Sequence, residues 1–428
     1  MKILHEALHS AIENIPQSLI ADLLREKLIA QGVYLSQRQC EKLARQVINE
    51  KLDSLDLPRW RFWQYRRFRK PKKLQIEFTS EDAQKITAAL DEFSDKRLPD
   101  LIQEIVAEHS QNILGMLQKR WKLEFKQQVD DESKFRLNLQ IRWGLPIEQL
   151  RMLRTIALEF GSDVNRDMRR IAMDEKHLID VLTRLHARAC QVTSEVECLL
   201  SGGFSDGAMA RWRTLHEVAV VARFISKHGA ECAERYVDHQ FVESRKAARN
   251  YERCQARLGY EPISESELKE TERQYQFVLG KYGSQFSEQY GWARPYLSIS
   301  EKAHVKFSDI EEAADLDHLR AHYQMASHNV HANAKGVFFK LGLIAESNVL
   351  LAGPSNAGLA DPGHASALSL IQASSALMTI DPTLDNVVLV KIMMKLADEI
   401  GDNFLAASKK LDQDAVLGLT MTKELRPN

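Results

Sequence analysis

Apolar residues recur every three to four positions along almost the whole 428-residue chain, and that spacing lines one face of an α-helix. Leu19, Leu23, Leu24, Leu28 and Ile29 form one such stripe, and Leu98, Leu101, Ile102, Ile105, Ile113, Leu114 and Leu117 form another. Strand-like alternation of apolar and polar residues is confined to residues 72–78 and 135–143,. A mainly α protein is expected, with those two runs pairing as a short β-hairpin.

The length exceeds that of a single hydrophobic core and implies at least two domains. A helix with Pro146 near its start and Gly161 at its end leads into the polar stretch GSDVNRDMRRIAMDEKH,. This divides the chain into a smaller helical N-terminal domain over 1–162, a linker over 163–173, and a C-terminal antiparallel helical bundle over 174–428. Long helical patterns cover 175–200, 205–227, 230–258, 264–281, 307–346, 364–379 and 384–411. Gly202 and Gly203 end the first of these, and Ser205 or Asp206 is placed to cap the second.

Several chemistries lack their sequence signals. The five cysteines form no CxxC pair, so neither a disulfide framework nor a thiolate zinc site is expected. No phosphate-binding glycine loop, dinucleotide fingerprint or nucleophile elbow occurs,. No cofactor is expected. His5, Glu6, His9 and Glu13 interrupt any secretory leader,. Lys340 and Glu346 interrupt the longest apolar stretch, which is shorter than the roughly 20 residues that span a bilayer. A cytoplasmic protein without membrane contact is expected. A formal net charge of -1 excludes no partner, because a local patch can be basic in a neutral chain.

Such a patch is the arm PRWRFWQYRRFRKPKK, residues 58–73. Arg59, Arg61, Arg66, Arg67, Arg69 and Lys70 alternate with Trp60, Trp63 and other aromatics, combining phosphate attraction with flat faces for base stacking. Alternatively, the aromatics anchor the segment while the arginines reach outward or dock a partner protein.

Two further groups stand out in the bundle. Arg213 and Glu217 are four residues apart and share a helix face with Val220, Val221 and Phe224, so the pair is expected in an apolar setting. It is either a site, with Arg213 holding an anion and Glu217 acting as base or orienter, or a structural tie between helices. In YQMASHNVHANAKG, Tyr323, Ser327 and His331 follow one helical stripe, while Arg320, Gln324 and His328 line the next,. Histidine suits proton transfer near neutral pH, and Arg320 can steady a phosphate. His328 and His331 stand three apart with no HExxH pattern, so no metal is expected. The duller reading makes Ser327 and His331 internal hydrogen-bonding residues that satisfy groups such as Glu217.

LLSGGFSDGAMARWRTLHE, YGWARPYL and YQMASHNVHANAKG, in that order, resemble the bacterial proteins grouped as domain of unknown function 5677, over roughly residues 175–379. The resemblance implies an Arg-x-x-x-Glu helix facing a Ser-x-x-x-His helix, matched here by Arg213, Glu217, Ser327 and His331. The chain is more loosely similar to HEPN-type all-helical domains. Many of those are metal-independent ribonucleases of toxin–antitoxin and phage-defence systems, with four to six residues between an Arg and a His in sites usually completed across a dimer. Here seven residues separate Arg320 from His328.

Two functions are therefore expected to compete. One is a metal-independent ribonuclease in which His331, helped by His328, moves the ribose proton while Arg213 or Arg320 steadies the phosphate and the arm holds RNA or another polyanion. The other is a non-enzymatic helical interaction module in which the same residues fix helix packing and the arm docks a protein. Homo-oligomerisation is expected in either case.

Overall fold

The computed structural model describes residues 8–9, 12–57, 74–168, 176–331, 333–343, 350–380 and 382–424; the basic-aromatic arm lies outside them. The chain divides into two compact units, Met1–Asp130 and Asp131–Asn428. This boundary precedes the expected linker, and the described part of that linker, residues 163–168, is helical.

In the first unit α1 (Ile15–Ala30) and α2 (Gln37–Glu50) precede the strands β1 (Ser54–Leu57) and β2 (Leu74–Glu77), followed by α3 (Ser80–Glu92) and the start of α4 (Leu98–Met168). A small core gathers Leu24 and Leu28 of α1, Leu43 and Val47 of α2, and Leu55 and Ile76, which face each other across the antiparallel ribbon. The Thr79 and Asp82 capping box starts α3, and Lys27 reaches the nearly buried Asp82 at 2.5 Å.

The ribbon exists, but with a different partner strand. β2 pairs with β1, whereas residues 135–143 are helical. Phe135, Leu139 and Trp143 are the half-buried and buried apolar members of that run, and Leu137 and Ile141 are exposed. The repeat that packs is thus i, i+4, i+8, and the intervening alternation is incidental. Pro146 lies inside α4; Trp143, Ile147 and Leu150 are buried on either side of it, and this packing outweighs the backbone hydrogen bond that a proline forfeits.

The second unit continues with α5 (Lys176–Ser201), α6 (Ser205–His228), α7 (Ala230–Asp238), α8 (Gln240–Leu258), α9 (Glu265–Tyr282), α10 (Phe307–Ala313), α11 (Arg320–Val330), α12 (Ala334–Phe338), α13 (Ala360–Met378) and α14 (Leu384–Glu424). Helices α5, α6 and α13 pack on one another, and α14 and α11 flank them. Small residues of α13, among them Ala365, Ser366, Ala367, Ser369 and Ala373, are fully or nearly fully buried, so neighbouring helices approach closely. Trp212 of α6 uses this proximity to donate to Ala365 O at 2.9 Å and Ser369 Oγ at 3.0 Å.

Gly202 and Gly203 do end α5. Gly203 has φ +78°, and a Cβ there would meet Phe135 and Ser355 O at 2.8 Å. Neither Ser205 nor Asp206 caps α6; the Asp206 carboxylate accepts from Leu341 N at 3.0 Å instead. The pattern expected over 230–258 breaks at His239 into α7 and α8, and that over 307–346 contains the separate helices α10, α11 and α12.

Candidate functional site

Helix α6 presents Arg213, His216 and Glu217 on one face, since residues three and four apart are neighbours on a helix. Helices α10 and α11 pack on it, the first bringing Glu311 and the second Arg320 and Tyr323. Two adjoining hydrogen-bonded groups result.

In the outer group Arg213 Nη2 donates to the Tyr323 hydroxyl at 2.9 Å, and that hydroxyl donates to Glu217 Oε1 at 2.6 Å. Arg213 and Glu217 also meet directly at 3.1 Å, and the guanidinium lies 4.8 Å from the Tyr323 ring centre. The pair is not sealed in an apolar interior: 24% of the Arg213 side chain and 37% of that of Glu217 remain exposed. Burial, and the Glu217 carboxylate that accepts its proton, push the Tyr323 phenol above its ordinary range, with Arg213 opposing. Tyr323 is accordingly a protonated donor at neutral pH. Burial and the same carboxylate also raise Tyr290.

The inner group centres on a fully buried pair, with a third of the Arg320 side chain still exposed. His216 Nε2 lies 2.7 Å from Glu311 Oε1, both side chains having no exposure, and Arg320 binds Glu311 Oε2. A carboxylate only accepts, so Nε2 carries the hydrogen. His216 Nδ1 is buried without a hydrogen-bond partner, as is Arg213 Nε. Rings join the two groups: Tyr323 packs 5.8 Å from His216 and 5.1 Å from Phe307, centre to centre.

Of the residues singled out in the sequence, Arg213 and Glu217 come together and Arg320 joins the adjacent group. Ser327 spends its hydroxyl on Tyr323 O at 2.9 Å, one turn back along its own helix. His328 Nδ1 lies 2.9 Å from Asn333 Nδ2. His331 stands beyond the last residue of α11, in extended backbone with an exposed side chain. Its backbone N–H closes the helix on Ser327 O at 3.2 Å. The arm residues Arg59, Trp60, Arg61, Trp63, Arg66, Arg67, Arg69 and Lys70 lie outside the described residues.

The third member of the Arg213 and Glu217 group is therefore the Tyr323 phenol, where an imidazole was expected. The imidazole present is that of His216, which sits between them in ARWRTLHE. Its position three residues after Arg213 was the available signal. Glu311 had a weaker one, a pair of acids in the short amphipathic segment FSDIEEA.

Among the described residues no group of three or more His, Cys, Asp and Glu is arranged to hold a metal ion, and no helix is long and apolar enough to cross a membrane. Cys40, Cys190, Cys198, Cys232 and Cys254 are all free.

The fold and cluster define a helical-bundle protein with a bipartite Arg/Tyr/Glu and His/Glu/Arg network. Residues 179–343 match the model of DUF5677, a family of unknown function. The match contains the whole network and ends before α13. No curated protein and no solved structure matches the chain.

Proposed function

We propose that the bundle is a non-enzymatic interaction module in which the two polar groups fix how α6, α10 and α11 pack. The supporting observation is that both carboxylate oxygens of Glu311 and the Tyr323 hydroxyl are spent within the cluster. Glu311 uses one oxygen on His216 and the other on Arg320, and Tyr323 both accepts from Arg213 and donates to Glu217. A general base must come within hydrogen-bond reach of its proton, about 3 Å. His331 follows Tyr323 by eight residues, which is roughly 12 Å along a helix at about 1.5 Å per residue.

Thermal melting paired with an RNA-cleavage assay in EDTA tests this reading. Wild type is expected to leave total RNA intact, and Glu311→Gln to melt lower. Cleavage by wild type that His331→Ala abolishes without altering the melt would overturn it.

A metal-independent ribonuclease is the second reading. It is favoured by the exposed quarter of Arg213 and the exposed His331 imidazole, since a phosphate could replace Tyr323 on the guanidinium. The same assay decides it, with Arg213→Ala alongside His331→Ala.

A further inference from the structure

Helix α4 carries a second feature, in the other unit and independent of the polar network. Ile102, Val106, His109, Ile113, Met116, Arg120 and Leu123 follow one another at spacings of four and three residues in strict alternation, the seam of a coiled coil. Their apolar members are exposed: Ile102 39%, Val106 48%, Ile113 40%, Met116 64% and Leu123 78%. Trp121 and Leu117 beside the seam are exposed as well. A seam of about 33 Å, at about 1.5 Å per residue, thus lies open on a helix whose propensity alone does not require apolar residues there.

Charge selects the partner. Residues 98–113 carry Asp100, Glu104 and Glu108 with no lysine or arginine, a balance of -3. Residues 114–129 carry Lys119, Arg120, Lys122 and Lys126 against Glu124 alone, 4 - 1 = +3. The helix is acidic in one half and basic in the other, and the sign changes at the middle of the seam. A second copy laid antiparallel sets each acidic half along a basic half, whereas a parallel copy sets like along like.

We propose that the chain dimerises through an antiparallel coiled coil of residues 102–123, with the two-fold axis near Leu114 and Gly115. Ile113 then packs beside Met116 of the second copy and Val106 beside Leu123 of the second copy. His109 and Arg120 form a polar layer that fixes the register. Arg120 pairs with Glu124 one turn along the helix at 2.6 Å, and its aliphatic stem is available for packing.

The test is the mass of the full chain in solution, followed by cross-linking. Light scattering at micromolar concentration is expected to give twice the mass of one chain, and Met116→Glu to give a monomer with unchanged helix content and melting. The double variant Val106→Cys/Leu123→Cys should form a covalent dimer on mild oxidation, while Val106→Cys alone should behave as wild type. A monomeric wild type, a dimer that survives Met116→Glu, or efficient self-linking of Val106→Cys alone, as parallel helices would give, each overturns the proposal.

Discussion

The Tyr323 hydroxyl donates to the Glu217 carboxylate across 2.6 Å, joining residues 106 positions apart in the chain. The same oxygen accepts from Arg213 at 2.9 Å, so one phenol bridges an acid and a base that already lie one turn apart on α6. Removing the oxygen leaves that pair intact. Tyr323→Phe should therefore cost only about 1 kcal/mol, the net worth of an ordinary hydrogen bond. Tyr323→Ala also removes the ring from between His216 and Phe307 and should cost about 3–5 kcal/mol. Urea denaturation of the two variants measures both; equal losses would show that the ring contributes nothing.

Glu311 presents a different balance, because it is wholly buried and serves two donors. Glu311→Ala strands the His216 Nε2–H in the interior and frees Arg320, and breaking a buried pair in this way costs about 3–5 kcal/mol. Glu311→Gln retains one acceptor and should lose less. Paired with Arg320→Ala in a double-mutant cycle, Glu311→Ala should show a coupling of at least ~1 kcal/mol. Additive losses would mean that Arg320 is not held by this carboxylate.

The mainly helical architecture could be read from apolar spacing, since burial selects a period that the residues themselves display. The expected strand at residues 135–143 failed because FRLNLQIRW satisfies a period of two and a period of four at once, and only packing chooses between them. Arg213 and Glu217 were found because they are local partners on one helix. Tyr323 appeared on the right stripe, but its role depended on where α11 stops. Val330 is the last helical residue, and the spacing from Tyr323 through Ser327 to His331 carries no signal for that end. His216 and Glu311 are joined only by tertiary packing, which no local pattern records.

Stability should fall in mild acid. His186 is buried with Nε2 3.1 Å from Ser374 Oγ, and burial lowers it to about 4. Its ordinary value is 6.5. Between these values the unfolded chain binds a proton that the folded chain does not, so unfolding is favoured as pH drops through that window. At about 1.4 kcal/mol per unit the loss approaches ~3 kcal/mol by pH 4. Burial also lowers His228 and His364, and both add to the slope. Substituting His186→Gln, which keeps a partner for Ser374 without titrating, should flatten the stability profile from pH 6.5 to 4. An unaltered slope would remove His186 as its cause.

Gly161 was expected to end a helix, but it lies inside α4, where a Cβ would stand 2.5 Å from the buried His186 Nδ1. A glycine in mid-helix is less stable than alanine by roughly 0.5–1 kcal/mol, so the space that His186 occupies must outweigh propensity here. Gly161→Ala should consequently destabilise the protein by ~1–3 kcal/mol, the usual cost of overpacking. In a His186→Ala background the obstruction is gone, and the same substitution should become neutral or stabilising by about 0.5–1 kcal/mol. Denaturant melts of the four proteins in that cycle give the coupling directly. If Gly161→Ala is equally harmful in both backgrounds, the glycine serves something other than the imidazole.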